Sequence, residues 1–228
     1  VLRSAFDIFT EHADPLFPVL YRPCDEMVKY GGDDPDKYLQ KCVLSGAYDY
    51  RVRGRRGTIQ AVSFLTQGSN FGQGGTMLPT GFLDTDTLQV ASDGSFEILV
   101  SAKPQPGNWL PMAADTSMLI VRQTFDDKHT QAPAEVRLER IGDGPAAPSL
   151  LTPEAIQAQL LGAAGWVRGT ANTFADWSEW FKGEPNRIYA GDQAVFQRAG
   201  GDPKIWYGHA YYALQPGEAW VLEVMPPK

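Results

Sequence analysis

Residues 95–125, SFEILVSAKPQPGNWLPMAADTSMLIVRQTF, decide the fold. Phe96, Ile98 and Val100 alternate with Glu97, Leu99 and Ser101. A period of two predicts a strand with one buried side. Met118, Leu119, Ile120 and Val121 are consecutive and apolar, which predicts a strand covered on both faces. Between them, Pro104, Pro106 and Gly107 cannot continue a central strand, so the chain turns there. Trp109 follows the turn; a Trp so placed anchors the turn to the core or walls a pocket. Arg122 ends an otherwise apolar strand, so it is expected to be partly buried and paired, or to face a pocket.

Outward from this stretch, the pattern stays β-rich. Residues 38–44 read as a short strand. In residues 48–53, Tyr48, Tyr50 and Val52 share one face, and Asp49, Arg51 and Arg53 the other. Gly54 to Gly57 reads as a hairpin loop from which residues 58–67 return as a partly buried strand. Residues 68–76, GSNFGQGGT, read as a flexible glycine-rich loop; they lack the Gly-Lys-Ser/Thr ending of a phosphate loop. Residues 92–95 read as a hairpin turn, and Val136 and Leu138 mark a further strand with Glu135, Arg137 and Glu139 toward water.

A Pro/Ala/Gly linker at residues 142–151 marks a change of architecture. Thr152, Pro153 and Glu154 supply a cap, a first-turn proline and an acid at the positive helix end. Apolar residues then recur at helical spacing, which predicts a helix from about residue 153 to 182, ~45 Å long if unbroken. Gly162, Gly165 and Gly169 lie near one face, where they permit close approach of another backbone. Trp166, Phe174, Trp177, Trp180 and Phe181 are expected to dock the helix on the sheet. Residues 2–9 have the spacing of an amphipathic helix end, residues 14–35 form a connecting loop, and residues 206–214 and 219–224 read as strands around a Gln215–Glu218 turn. The expected architecture is a mainly β, antiparallel, jelly-roll-like sandwich with one long flanking helix and an N-terminal helix end. Its parts are residues 1–36, the sandwich 37–144, the linker and helix 145–183, and the C-terminal strands 184–228, the last as the start of a second β unit.

Several blocks resemble the bacterial family called domain of unknown function twelve-fourteen, a sister of twelve-fifty-four. They are AFDIFTEHAD from Ala5, YRVRGRRG from Tyr50, DGSFEILVSA from Asp93, GNWL from Gly107, SMLIVRQTF from Ser117 and HAYYALQPGEAWVLEV from His209. The resemblance implies a jelly-roll-like sandwich and, in longer members, a second β unit beyond the equivalent of Val224. It implies no particular chemistry.

Composition narrows the partners. The 228 residues carry 20 basic and 27 acidic side chains, a net charge of −7, which argues against nucleic acid and anionic membranes. No apolar run reaches the ~20 residues of a membrane helix. Cys24 and Cys42 have no metal-type spacing and read as two thiols in a reducing, cytoplasmic setting. His12, His129 and His209 lack the usual ligand spacings, so no metal and no cofactor is expected. No catalytic set can be named: there is no Gly-x-Ser-x-Gly elbow, and neither Cys lies in an activating motif.

The ligand-facing candidates are Asn108, Trp109, Arg122, Tyr50 and His209, in the mouth of the sandwich. The first expectation is a soluble enzyme or binding protein for a small organic or sugar-like ligand. The alternative is a non-catalytic module, homo-oligomeric or partner-binding, that assembles through the aromatic face of the helix. The third is a carbohydrate-processing enzyme drawing paired carboxylates from Asp84, Asp86, Glu97 and Glu223. Arg51, Arg53, Arg55 and Arg56 are expected to be solvated and paired across strands.

Overall fold

The computed structural model describes residues 1–25, 27–28, 34–189 and 191–225. Gly31 and Gly32 of the connecting loop lie outside these residues. Among the described residues, eight strands form two four-stranded sheets. Sheet A has the order β1 (Lys37–Val43), β7 (Thr116–Thr124), β3 (Ala61–Asn70), β4 (Gln73–Asp84). Sheet B has the order β6 (Trp109–Pro111), β5 (Ser95–Ser101), β2 (Tyr50–Arg55), β8 (Glu135–Arg140). All pairings are antiparallel except β5 with β6.

The sheets face each other across one apolar core, as the alternation predicts. Cys42, Val62, Phe64, Leu83, Leu119 and Val121 enter it from sheet A, and Tyr50, Val52, Phe96, Ile98, Val100 and Leu110 from sheet B. The outer face of sheet B is solvated. There Arg51 and Arg53 both reach Glu97 and Glu139, at 2.8 to 3.4 Å.

The outer face of sheet A is covered, which is why the middle of β7 is apolar on both sides. Helix α2 (Pro153–Phe181) and the short α1 (Leu2–Phe6), continued as a π-helical turn (Asp7–Glu11), pack on Leu65, Met77, Met118 and Ile120. Trp166 is fully buried there, with Phe71 5.3 Å and Phe9 6.2 Å away, ring to ring. The Thr152 side chain caps α2 by accepting from Ala155 N, and the helix runs unbroken over almost the predicted span.

Four local expectations are corrected. First, β2 and β3 do not form a hairpin. β2 pairs with β5 and β8, while the chain crosses between sheets through Gly57, held at φ +62° against the Ala132 and Pro133 carbonyls. Second, residues 68–76 are not a flexible loop. β3 continues to Asn70 and β4 begins at Gln73; the turn between them is pinned by buried Phe71 and shaped to receive α2. A Cβ on Gly169 would collide with the Phe71 carbonyl oxygen, so the glycines serve contact rather than freedom. Third, the strands on either side of the turn at residues 92–95, β4 and β5, lie in opposite sheets, so it is a turn but not a hairpin between paired strands. Fourth, residues 206–214 and 219–224 form no regular strands. Among the described residues their backbone forms isolated β-bridges alone, Pro185 with Tyr211 and Tyr189 with His209. Alternation fits a strand, but without a sheet edge to extend there is no ladder.

Candidate functional site

The site is built on the outer face of β1 and β7. Antiparallel register sets Leu39 opposite Arg122 and Lys41 opposite Ile120. Period two then points Lys37, Leu39 and Lys41 the same way, away from the inter-sheet core. On the neighbouring strand, Ser63 lies opposite Arg122 and is itself opposite Asp84. One row across the sheet therefore reads Leu39, Arg122, Ser63, Asp84, a polar line on an otherwise apolar face.

That polar row holds down the segment following the short helix α3 (Gln193–Gln197). Arg122 donates to the Gly200 carbonyl, and its Nη1 lies 3.7 Å from Asp202 Oδ2. Ser63 Oγ donates to the same carboxylate at 2.6 Å. Lys204 Nζ reaches Asp84 at 3.2 Å and Asp86 at 2.8 Å. The Tyr207 hydroxyl accepts from Asp202 N at 2.8 Å, and Gln193 brackets Tyr207 by bonding both its N–H and its carbonyl. These contacts bring residues 199–209 over the sheet and against the C-terminal half of α2.

Between them lies a cleft of about 740 Å³. One wall is aromatic: Trp177 and Phe181 from α2, Phe196 from α3, then Tyr207 and His209. The imidazole of His209 stacks on Phe181 at 4.5 Å and 10°, with Phe196 4.5 Å away on a 30° tilt. Its Nε2 is buried without a hydrogen-bond partner among the described residues, and burial holds its pKa below the usual 6.5. The other wall is cationic: Arg22, Lys37, Lys41 and Arg122, against Asp34 among the described lining residues. Lys37 pairs with Asp34 at 2.8 Å, and Arg22 lies over the Tyr38 ring. Lys41 is 3% exposed; burial, then repulsion from Arg122, lowers its pKa to about 8. Arg122 Nη1 is buried with no hydrogen-bond acceptor among the described residues, although the Asp202 carboxylate is close enough to offset part of its charge. A positive wall in a chain of charge −7 is a local concentration of field, not a reflection of overall composition.

The structure brings together two of the five candidates, Arg122 and His209, from positions 87 residues apart in sequence. The other three lie elsewhere. Tyr50 is fully buried in the inter-sheet core; its hydroxyl donates to the Pro15 carbonyl at 3.1 Å and accepts from Ser45 N at 2.9 Å. Trp109 Nε1 donates to the Ser101 carbonyl at 3.2 Å, anchoring its turn. Asn108 ties two segments, donating to the Gln89 and Glu97 carbonyls and accepting from Gln89 N; it borders a shallower groove of about 540 Å³ on sheet B. Of the carboxylates proposed for sugar chemistry, Asp84 and Asp86 meet on Lys204 at one end of sheet A, and Glu97 lies apart from them on the outer face of sheet B.

Lys41, Trp177 and Phe196 line the cleft without having been among the ligand candidates read from sequence. A signal was present for Lys41, because Leu39, Lys41 and Val43 share a strand face and a charge between two apolar residues breaks the pattern. Trp177, expected to dock α2 on the sheet, packs instead against Phe196 and His209. Cys24 lines the cleft, Cys42 is buried with its thiol pushed up to about 12, and no disulfide joins them. No described helix is long and apolar enough to cross a membrane.

No family model matches this chain, and no curated protein matches it. Among solved structures, a Vibrio parahaemolyticus protein aligns over 45% of this chain and 31% of its own, at 18% identity and a TM-score of 0.32, which has no bearing on the fold. An uncharacterized protein from Burkholderia cenocepacia aligns over 94% of this chain at 43% identity and a TM-score of 0.89, so the two share the mainly β, two-sheet fold with its long flanking helix. This chain spans 59% of the length of that one.

Proposed function

We propose that this protein binds a small amphipathic organic anion, a flat or acyl body ending in a carboxylate or similar group, in the cleft on the outer face of sheet A. The observation that carries the reading is the division of one cleft into an aromatic wall and a cationic wall. Ligand sites combine an apolar lining with a few placed polar groups. Here Arg122 Nη1 and His209 Nε2 are two buried nitrogens that a ligand could engage. Stacking between Trp177, Phe181 and His209 suits an unsaturated ring or planar chain. Neutral sugar fits less well, because the cations would be desolvated without a counter-charge. The jelly-roll description and the resemblance to the family twelve-fourteen belong to the same proposal; neither names a ligand.

The test is titration of the purified chain with benzoate, cinnamate, octanoate and glucose, followed by Trp fluorescence and melting temperature. Saturable binding of the organic anions, weakened in Trp177→Ala and absent for glucose, supports the reading. Binding of glucose alone, or binding of anions indifferent to Trp177→Ala, overturns it.

A second reading rests on a separate observation. Leu2 and Phe6 of the N-terminal helix and Ile156, Leu160 and Leu161 of α2 are exposed apolar residues. Such surface favours contact with another protein. It lies on the first half of α2, away from the aromatic residues that line the cleft, and so does not compete with the ligand reading.

A further inference from the structure

We propose that Lys41 is a covalent site for carbonyl compounds, its ε-amino group forming an imine with an aldehyde or ketone whose carboxylate is held by Arg122. The proposal rests on the cleft reading above and narrows its ligand to a short oxo acid.

Geometry carries it. Leu39 is directly opposite Arg122 in the β1–β7 register, and Lys41 is two residues further along the same face. Lys41 and Arg122 are therefore diagonal neighbours, which antiparallel pairing separates by about 7–8 Å. That span suits a compact molecule with a carboxylate at one end and a carbonyl carbon at the other. Both side chains line the same cleft, with Leu39, Ile120 and Met77 between and beside them. An apolar surround favours the dehydration that completes imine formation, and the aromatic wall offers a stacking surface for the conjugated product.

The amine is also prepared for the role. A nucleophilic lysine must be neutral, and burial or a neighbouring cation achieves this. Here burial acts first and Arg122 second, bringing the group to about 8, while Cys24 acts in the opposite direction. The other titratable groups lining the cleft are Arg22, Lys37, Asp34, Tyr207 and His209. In the step itself, the nitrogen lone pair attacks the carbonyl carbon, and the C=O π pair moves to oxygen, which is protonated to give a carbinolamine. The nitrogen lone pair then expels that oxygen as water, the C–O bond breaks, and the two hydrogens of the amine leave with it. The product is a C=N bond; no oxidant or reductant takes part.

The test uses 4-carboxybenzaldehyde with sodium cyanoborohydride as the trapping reagent, followed by peptide mapping. Labelling at Lys41 should exceed that at exposed Lys103 and Lys128 by roughly tenfold near neutral pH, because the cleft holds the probe's carboxylate at Arg122 and its aldehyde beside the amine. It should rise as pH increases through about 8, be blocked by excess 4-methylbenzoate, and vanish in Lys41→Arg. The probe's effect on melting temperature is read in parallel without reductant. Adducts confined to exposed lysines, with a melting shift still present, overturn the Lys41 proposal and leave the cleft reading standing. Absence of both the Lys41 adduct and the melting shift overturns the two together. The mapping is done on the unaltered protein, so its outcome does not depend on whether the variant folds.

Discussion

Arg122 Nη1 and Asp202 Oδ2 lie 3.7 Å apart, and the same carboxylate oxygen accepts the Ser63 hydroxyl at 2.6 Å. Both charged side chains are nearly enclosed. The pair joins the centre of sheet A to the segment that supplies Tyr207 and His209, so it holds one wall of the cleft against the other. Removing one member of a buried pair leaves a charge without compensation. Asp202→Asn should therefore destabilise the fold by about 3 kcal/mol in urea unfolding. The double variant Arg122→Met with Asp202→Asn should recover most of that loss. Equal destabilisation by the single and double variants would show that the contact is not a coupled pair.

Two glycines of α2 should respond in opposite directions. A Cβ at Gly165 meets nothing nearer than 3.8 Å, whereas one at Gly169 would run into the Phe71 carbonyl oxygen. Gly165→Ala should stabilise by about 1 kcal/mol through helix propensity. Gly169→Ala should cost about 2 kcal/mol, because the helix must lift from the β3–β4 turn. Thermal melts of the two variants side by side check the sign of each.

Trp166 anchors the middle of α2. It is fully buried and meets both Phe9 and Phe71 edge-on. Trp166→Ala should cost about 4 kcal/mol, as large aromatic deletions in cores do. A loss below about 1 kcal/mol in denaturant unfolding would show that the helix is held elsewhere, against the usual cost of such cavities.

His209 sets a pH dependence. Burial lowers its pKa below 6.5, so the unfolded chain takes up a proton more readily than the folded one. Its neutral form supports the fold fully above 6.5. That support is lost as pH falls through 6.5 toward the lower folded value, and stays level beneath it. Melting temperatures from pH 8 to pH 5 should fall less in His209→Phe, which keeps the stacking on Phe181 but carries no proton. An unchanged profile would place the titration in other groups.

The sequence by itself determined the local terms. Alternation placed β5 and β8, the double-sided run of β7 announced that sheet A is covered on both faces, and the Thr152–Pro153–Glu154 start marked α2 to within a residue. These are properties of neighbouring residues, and side-chain period and capping act over a few positions. Arg122 was legible as a buried, paired residue for the same reason, since a guanidinium in an apolar strand needs a partner. Only the tertiary structure decided which partner. Sheet assignment, the bridging of residues 199–209 to sheet A, and the meeting of Lys41, Arg122, Trp177 and His209 all depend on pairings between distant segments, and local pattern does not specify distant pairings. The same limit explains residues 206–224: their alternation is real, but a strand exists only where another strand's unpaired backbone is in reach.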